Sequence, residues 1–91
     1  MTRLKVRLTK KGIVALPTNK PGVYIIKNNS GTNIFTGIAK RNQVIETLAT
    51  HFYGGENYIP GAWVSFKQFN NLTEAGAELD KILERDNPKY N

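Results

Sequence analysis

Ninety-one residues make one small domain, and 40% apolar residues with nine aromatics suffice for a compact core. There is no cysteine and only one histidine, His51, which excludes disulfides, zinc–cysteine centres and multi-histidine metal sites within the chain. The net charge of +6 is unevenly spread: residues 1–45 hold nine Lys or Arg and no acid, whereas residues 46–91 hold four basic and seven acidic side chains, the pattern of a polyanion-binding face.

Leu4, Val6 and Leu8 alternate with Lys5, Arg7 and Thr9, predicting a half-buried strand with a basic outer face. Lys10-Lys11-Gly12 predicts a turn, and Ile13 to Leu16 is a short apolar piece ending at Pro17. Thr18 to Gly22 is turn chemistry. Val23 to Ile26 and Ile34-Phe35-Thr36 predict two strands joined by the polar loop Asn28 to Asn33.

From Asn42 the period becomes helical. Val44, Ile45, Leu48, Ala49 and Phe52 share a stripe, with Asn42 placed as the N-cap and Tyr53-Gly54-Gly55 as the stop. Ala62 to Phe69 alternates again and predicts a strand, whose Trp63, Phe66 and Phe69 are assigned to packing. Asn71, followed three residues later by Glu74, reads as a capping box opening a last helix. Leu72, Ala75, Leu79, Ile82 and Leu83 form its apolar stripe, and Asp86-Asn87-Pro88 ends it. The expected fold is α+β: a small antiparallel or mixed sheet of three to four strands packed with two or more helices. No apolar run approaches the ~20 residues that cross a bilayer, and the first residues lack a signal peptide's apolar stretch. A cytoplasmic protein is expected.

Gly22-Val23-Tyr24, followed about ten residues on by Phe35-Thr36-Gly37, resembles the two-strand signature of the GIY-YIG nuclease family. Ala39-Lys40 after the second motif, a helix running into His51-Phe52, Thr73-Glu74-Ala75 opening the final helix, and the closing Pro88-Lys89-Tyr90-Asn91 are similar to the family in the same order. The resemblance covers residues 20–91 of a single domain spanning 1–91, with 1–19 as a basic N-terminal strand extension.

That resemblance implies cleavage of DNA phosphodiesters with one divalent ion, Mg²⁺ or Mn²⁺. In such a site a glutamate on the last helix holds the ion, motif tyrosines flank the phosphate, and an arginine on the first family helix neutralises charge. A hard cation suits carboxylate oxygen and polarises a phosphoryl oxygen, and a guanidinium suits the transition state.

Carried onto this chain, Tyr24 matches the first motif tyrosine, to orient or activate water. Phe35 occupies the second tyrosine position without the hydroxyl and cannot hydrogen-bond a phosphate. Ile38 follows the motif glycine, where many members carry a polar residue. The helix arginine's place falls on Ile45, Glu46 or Thr47, none of them arginine. Lys40 and Arg41 could stand in from the loop. His51 reads either as a site residue or as a boundary histidine on the helix stripe. Glu78 is the metal ligand if one extra residue separates it from Pro88; otherwise Leu79 takes the place, and Glu74 lies one turn earlier. Asn91 matches the terminal asparagine that braces the site.

The expected nucleic-acid interface comprises Arg3, Lys5, Arg7, Lys10, Lys11, Lys20, Lys40 and Arg41. The expected partner is double-stranded or branched DNA. With the second tyrosine and the helix arginine missing, cleavage is expected to be weak or absent. Alternatives are an inactive binding or recruiting module of the same fold, a basic RNA-associated domain, and an adaptor for a partner protein.

Overall fold

The computed structural model describes residues 4–51 and 58–91. Arg3, Phe52 and the expected helix stop Tyr53-Gly54-Gly55 lie outside the described residues. In chain order the elements are β1 (Leu4–Arg7), α1 (Lys10–Ile13), β2 (Gly22–Lys27), β3 (Asn33–Ala39), α2 (Val44–Ala49), β4 (Trp63–Gln68) and α3 (Leu72–Asp86). The four strands form one antiparallel sheet in the order β1-β4-β2-β3. Among the described residues, no helix is long and apolar enough to cross a membrane.

The sheet has apolar side chains on both faces. Tyr24, Ile26, Val64 and Phe66 pack with Leu8, Ile13, Leu16, Val44 and Leu48 on the face covered by α1 and α2. Val23 and Ile25 pack with Ala75 and Ile82 of α3 on the other. β2 is central, so its buried run Gly22 to Ile26 serves both cores. The alternation expected for residues 62–69 is seen with its outcome: Val64 and Phe66 point into the first core, whereas Trp63 lies half-buried outside both clusters. Phe69 packs against the second core. The assignment of Trp63 to packing is therefore corrected.

Three local features depart from or refine the expected elements. Lys10-Lys11-Gly12 is the short helix α1 rather than a turn. Extended Thr9 caps it, its hydroxyl accepting from the Gly12 N–H at 3.1 Å, and Ile13 anchors it in the core. Asn42 is not the N-cap of α2. It has a positive φ of 65°, which asparagine tolerates, and its N–H donates to the Thr18 carbonyl at 2.7 Å. The cap falls on Gln43, without a side-chain bond.

α3 begins as expected. Asn71 is extended and accepts from the Glu74 N–H at 2.9 Å. It ends at Asn87, which takes the left-handed conformation and donates to the Leu83 carbonyl.

Candidate functional site

The two motif strands pair so that Tyr24 stands opposite Gly37 and Ile26 opposite Phe35. Because side chains alternate, Tyr24, Phe35 and Gly37 share the α2 face of the β2–β3 ladder. The absence of a side chain at Gly37 is what lets the tyrosine ring cross β3: a Cβ there would lie 2.5 Å from the Tyr24 hydroxyl. Gly22 plays the same part on β4, where a Cβ would lie 2.4 Å from the Phe66 ring. The motif glycines are thus packing necessities of this hairpin.

His51 lies just past the α2 C-cap, Thr50, instead of on the helix itself. The chain turns there and carries the imidazole under the sheet. Its Nε2 is 2.8 Å from the Tyr24 hydroxyl in a buried contact, and the two residues are 6% and 3% exposed. Phe35 completes the cluster, its ring centroid 4.9 Å from His51 and 6.0 Å from Tyr24. Burial pushes the Tyr24 phenol well above its usual range, so it stays a neutral hydroxyl at physiological pH.

Asn91 comes to the same strand from outside. Its side-chain oxygen accepts from the Thr36 N–H and its amide donates to the Thr36 carbonyl, both at 2.8 Å. Thr36 sits between Phe35 and Gly37, so Asn91 holds the second motif by its backbone.

Glu78 belongs to α3, whose core contacts run to Val23 and Ile25 on the other face of the sheet. Its carboxylate is 3.9 Å from the Lys67 ammonium, and Lys67 stands opposite Val23 in register, on that same face. Tyr24 packs in the core on the other face, so these contacts of α3 do not themselves bring Glu78 to the Tyr24 hydroxyl. Leu79, the alternative register, packs against the second core. Glu74 is exposed in the first turn of α3 and engaged with Asn71. Among the described residues, no group of three or more His, Asp or Glu is arranged to hold a metal ion. Ile45, one of the positions facing the missing arginine, packs against the first core, and Ile38 against the second.

The basic residues form two groups. Lys20, Lys40 and Arg41 gather at the end of the sheet where β2 begins and β3 finishes, the two ends being paired through Gly22 and Ala39. Lys20 reaches Asn70 at 3.4 Å, and Lys40 and Arg41 are exposed. Lys5, Arg7 and Lys11 line an open groove at the β1 edge together with Thr9 and Trp63, and Lys10 is exposed beside them.

A third polar cluster, which no motif of the sequence marks, ties β3 to the end of α3. Asn33 donates to Asp86 at 3.0 Å, and Arg85 holds both Asp86 oxygens at 2.8 and 3.0 Å. The Arg85 guanidinium and then Asn33 hold the Asp86 carboxyl down at about 2. No sequence period marks this contact, because its partners are 53 residues apart.

The fold is similar to solved GIY-YIG N-terminal endonuclease domains of UvrC from Thermotoga maritima. A tyrosine-to-phenylalanine mutant of that domain, bound to the catalytic divalent cation, is 25% identical over 92% of this chain and 93% of its own, with a TM-score of 0.69. The domain bound to its catalytic magnesium is 26% identical over 84% of this chain and 88% of its own, with a TM-score of 0.66. Another tyrosine-to-phenylalanine mutant of it is 28% identical over the same shares, with a TM-score of 0.66. No family model and no curated protein matches the chain. A four-stranded antiparallel sheet with three helices gives this chain a GIY-YIG endonuclease-like α+β fold.

Proposed function

We propose that this chain is a DNA-binding domain on a GIY-YIG nuclease scaffold, with metal-dependent hydrolysis weak or absent. The observation that carries this reading is the closed cluster of Tyr24, His51 and Phe35. A group acting on a phosphate or on the attacking water must come within hydrogen-bond reach of it. Here the phenol is buried and already engaged with His51, and the neighbouring ring has no hydroxyl to offer. Within this reading Tyr24, His51 and Asn91 hold the hairpin and its edge in shape.

Mg²⁺ or Mn²⁺ does not fit the residues as arranged. An ion on Glu78 would sit beside the Lys67 ammonium. Binding then rests on cations: Lys20, Lys40 and Arg41 at one end, and Lys5, Arg7, Lys10 and Lys11 at the β1 edge, with Arg3 assigned from the sequence alone. Phosphate neutralisation by such groups makes affinity fall steeply with salt. The neighbours support DNA as the polyanion, because they are GIY-YIG endonuclease domains.

A second reading, a functioning nuclease, is favoured by the retained Tyr24 hydroxyl and by Asn91 bracing the second motif. Incubation with supercoiled and branched DNA, with and without Mg²⁺ or Mn²⁺, separates the two. The expected result is salt-dependent binding without metal-dependent nicking. Lys40→Ala with Arg41→Ala should lower the slope of log affinity against log salt by about 2, at ~0.9 per phosphate contact. Nicking that needs the metal and disappears in Glu78→Gln overturns the loss of hydrolysis. Binding that ignores salt overturns the DNA reading.

A further inference from the structure

The charged and aromatic residues of the β1–β4 half of the sheet are not used by the motif cluster. Lys5, Arg7, Trp63 and Lys67 all lie on the α3 face, as the register Lys5↔Ser65, Arg7↔Trp63 and Lys67↔Val23 requires. α3 rests on β2 and β3 through Val23, Ile25 and Ile38. Lys5 and Arg7 beyond it are exposed and Trp63 is half-buried. The Lys5 ammonium and the Arg7 guanidinium stand 4.7 and 4.3 Å from the Trp63 ring centroid. Lys67 lies 5.4 Å from the ring of Phe69, the residue just past β4. Lys11 and Thr9 continue this surface as the wall of the groove.

From this arrangement we infer that the β1–β4 face is a binding platform for single-stranded DNA, with Trp63 stacking an unpaired base and Lys5, Arg7 and Lys11 taking the flanking phosphates. The inference rests on the DNA-binding reading above and deepens it by naming a substrate form and a surface. An exposed cation over an aromatic ring is worth ~0.5–1 kcal/mol, whereas a base stacked on an aromatic side chain is worth ~1–3 kcal/mol. A base therefore displaces the Lys5 or Arg7 head group from the indole, and the released cation turns to the adjacent phosphate, where it gains a charge-assisted contact. Duplex DNA keeps its bases stacked inside and offers the indole no face. A discriminating aromatic and a set of indifferent cations are thus combined on one surface.

Trp63 is the only tryptophan, so its fluorescence reports the contact directly. The test titrates the full chain with a 12-mer of thymidine and with a blunt duplex, following the emission and, in parallel, the anisotropy of end-labelled DNA. The expected result is quenching by the oligothymidine and little change with duplex. Trp63→Ala should weaken oligothymidine binding about 10-fold or more, with the salt slope unchanged, and Trp63→Phe should recover part of it. Lys5→Ala with Arg7→Ala should reduce the slope by about 1.4, at ~0.7 per contact on a single strand. Unchanged emission together with unaltered oligothymidine affinity in Trp63→Ala, while duplex still binds, overturns the platform and leaves the DNA reading standing. Equal losses for duplex and single strand in Trp63→Ala also overturn it. Absence of binding to either form refutes the DNA reading itself.

Discussion

The two faces of the sheet use aromatic residues in opposite ways. On the α2 face, Tyr24, His51 and Phe35 pack against one another, with the Tyr24 hydroxyl engaged by the His51 Nε2. On the β1–β4 part of the α3 face, half-buried Trp63 keeps the two exposed cations Lys5 and Arg7 over its ring. The first arrangement carries the sequence signature of a nuclease but has the chemistry of a core. The second carries no signature and has the chemistry of a surface that meets a polyanion. Likeness of sequence locates the scaffold, and exposure decides which of its residues can touch a ligand.

The largest expected effect comes from breaking the closed face. His51→Ala leaves the Tyr24 hydroxyl buried without that partner, and stability should fall by about 1–3 kcal/mol for the stranded polar group alone, read by chemical denaturation. A double-mutant cycle with Tyr24→Phe should show that the two losses are not additive; additive losses would mean the 2.8 Å contact contributes nothing.

Alkaline titration sharpens the contrast. Tyr24 is held above its ordinary value of 10.0 by burial. Its contribution is fully present below pH 10 and is lost as pH rises, because the unfolded chain ionises first. Phenolate absorbance should therefore show one tyrosine ionising only together with alkaline unfolding, and Tyr24→Phe should remove that step. Early titration of all the tyrosines would mean that the cluster is open to water.

The smallest effect on stability belongs to the open face. Trp63→Ala should cost about 1–2 kcal/mol, since the ring has two exposed cation partners worth ~0.5–1 kcal/mol each. A loss of about 3 kcal/mol or more, the cost of truncating a core aromatic, would return Trp63 to the core.

The scaffold is legible in the chain, and this division of its faces is not. Alternation marked residues 62–69 as a strand, and the Asn71–Glu74 spacing located the start of α3. Gly22-Val23-Tyr24 and Phe35-Thr36-Gly37 marked the hairpin that the structure forms. The failures share a physical cause, which is that linear spacing does not say which side of a sheet a helix will cover. Glu78 was matched by counting back from Pro88, but the count carries no information about the face, and α3 packs on Val23 and Ile25. Asn42 was read as a cap because asparagine favours both caps and the left-handed region, and the bond to Thr18 selects the second. Trp63 was read as core because large aromatics usually are. Its strand position opposite Arg7, next to an edge, argued otherwise.

Asn91 has a consequence beyond the hairpin it steadies. An unprotected outer strand is a template on which a second molecule can extend the sheet. Along β3 that template is blunted, because the Tyr90 N–H donates to the Ile34 carbonyl and the Asn91 carboxamide imitates a peptide group toward Thr36. Among the described residues of the opposite border, β1, the exposed cations Lys5 and Arg7 discourage such growth by like-charge repulsion. Of the two borders of the sheet, β3 is thus the one whose backbone is covered by the end of the chain.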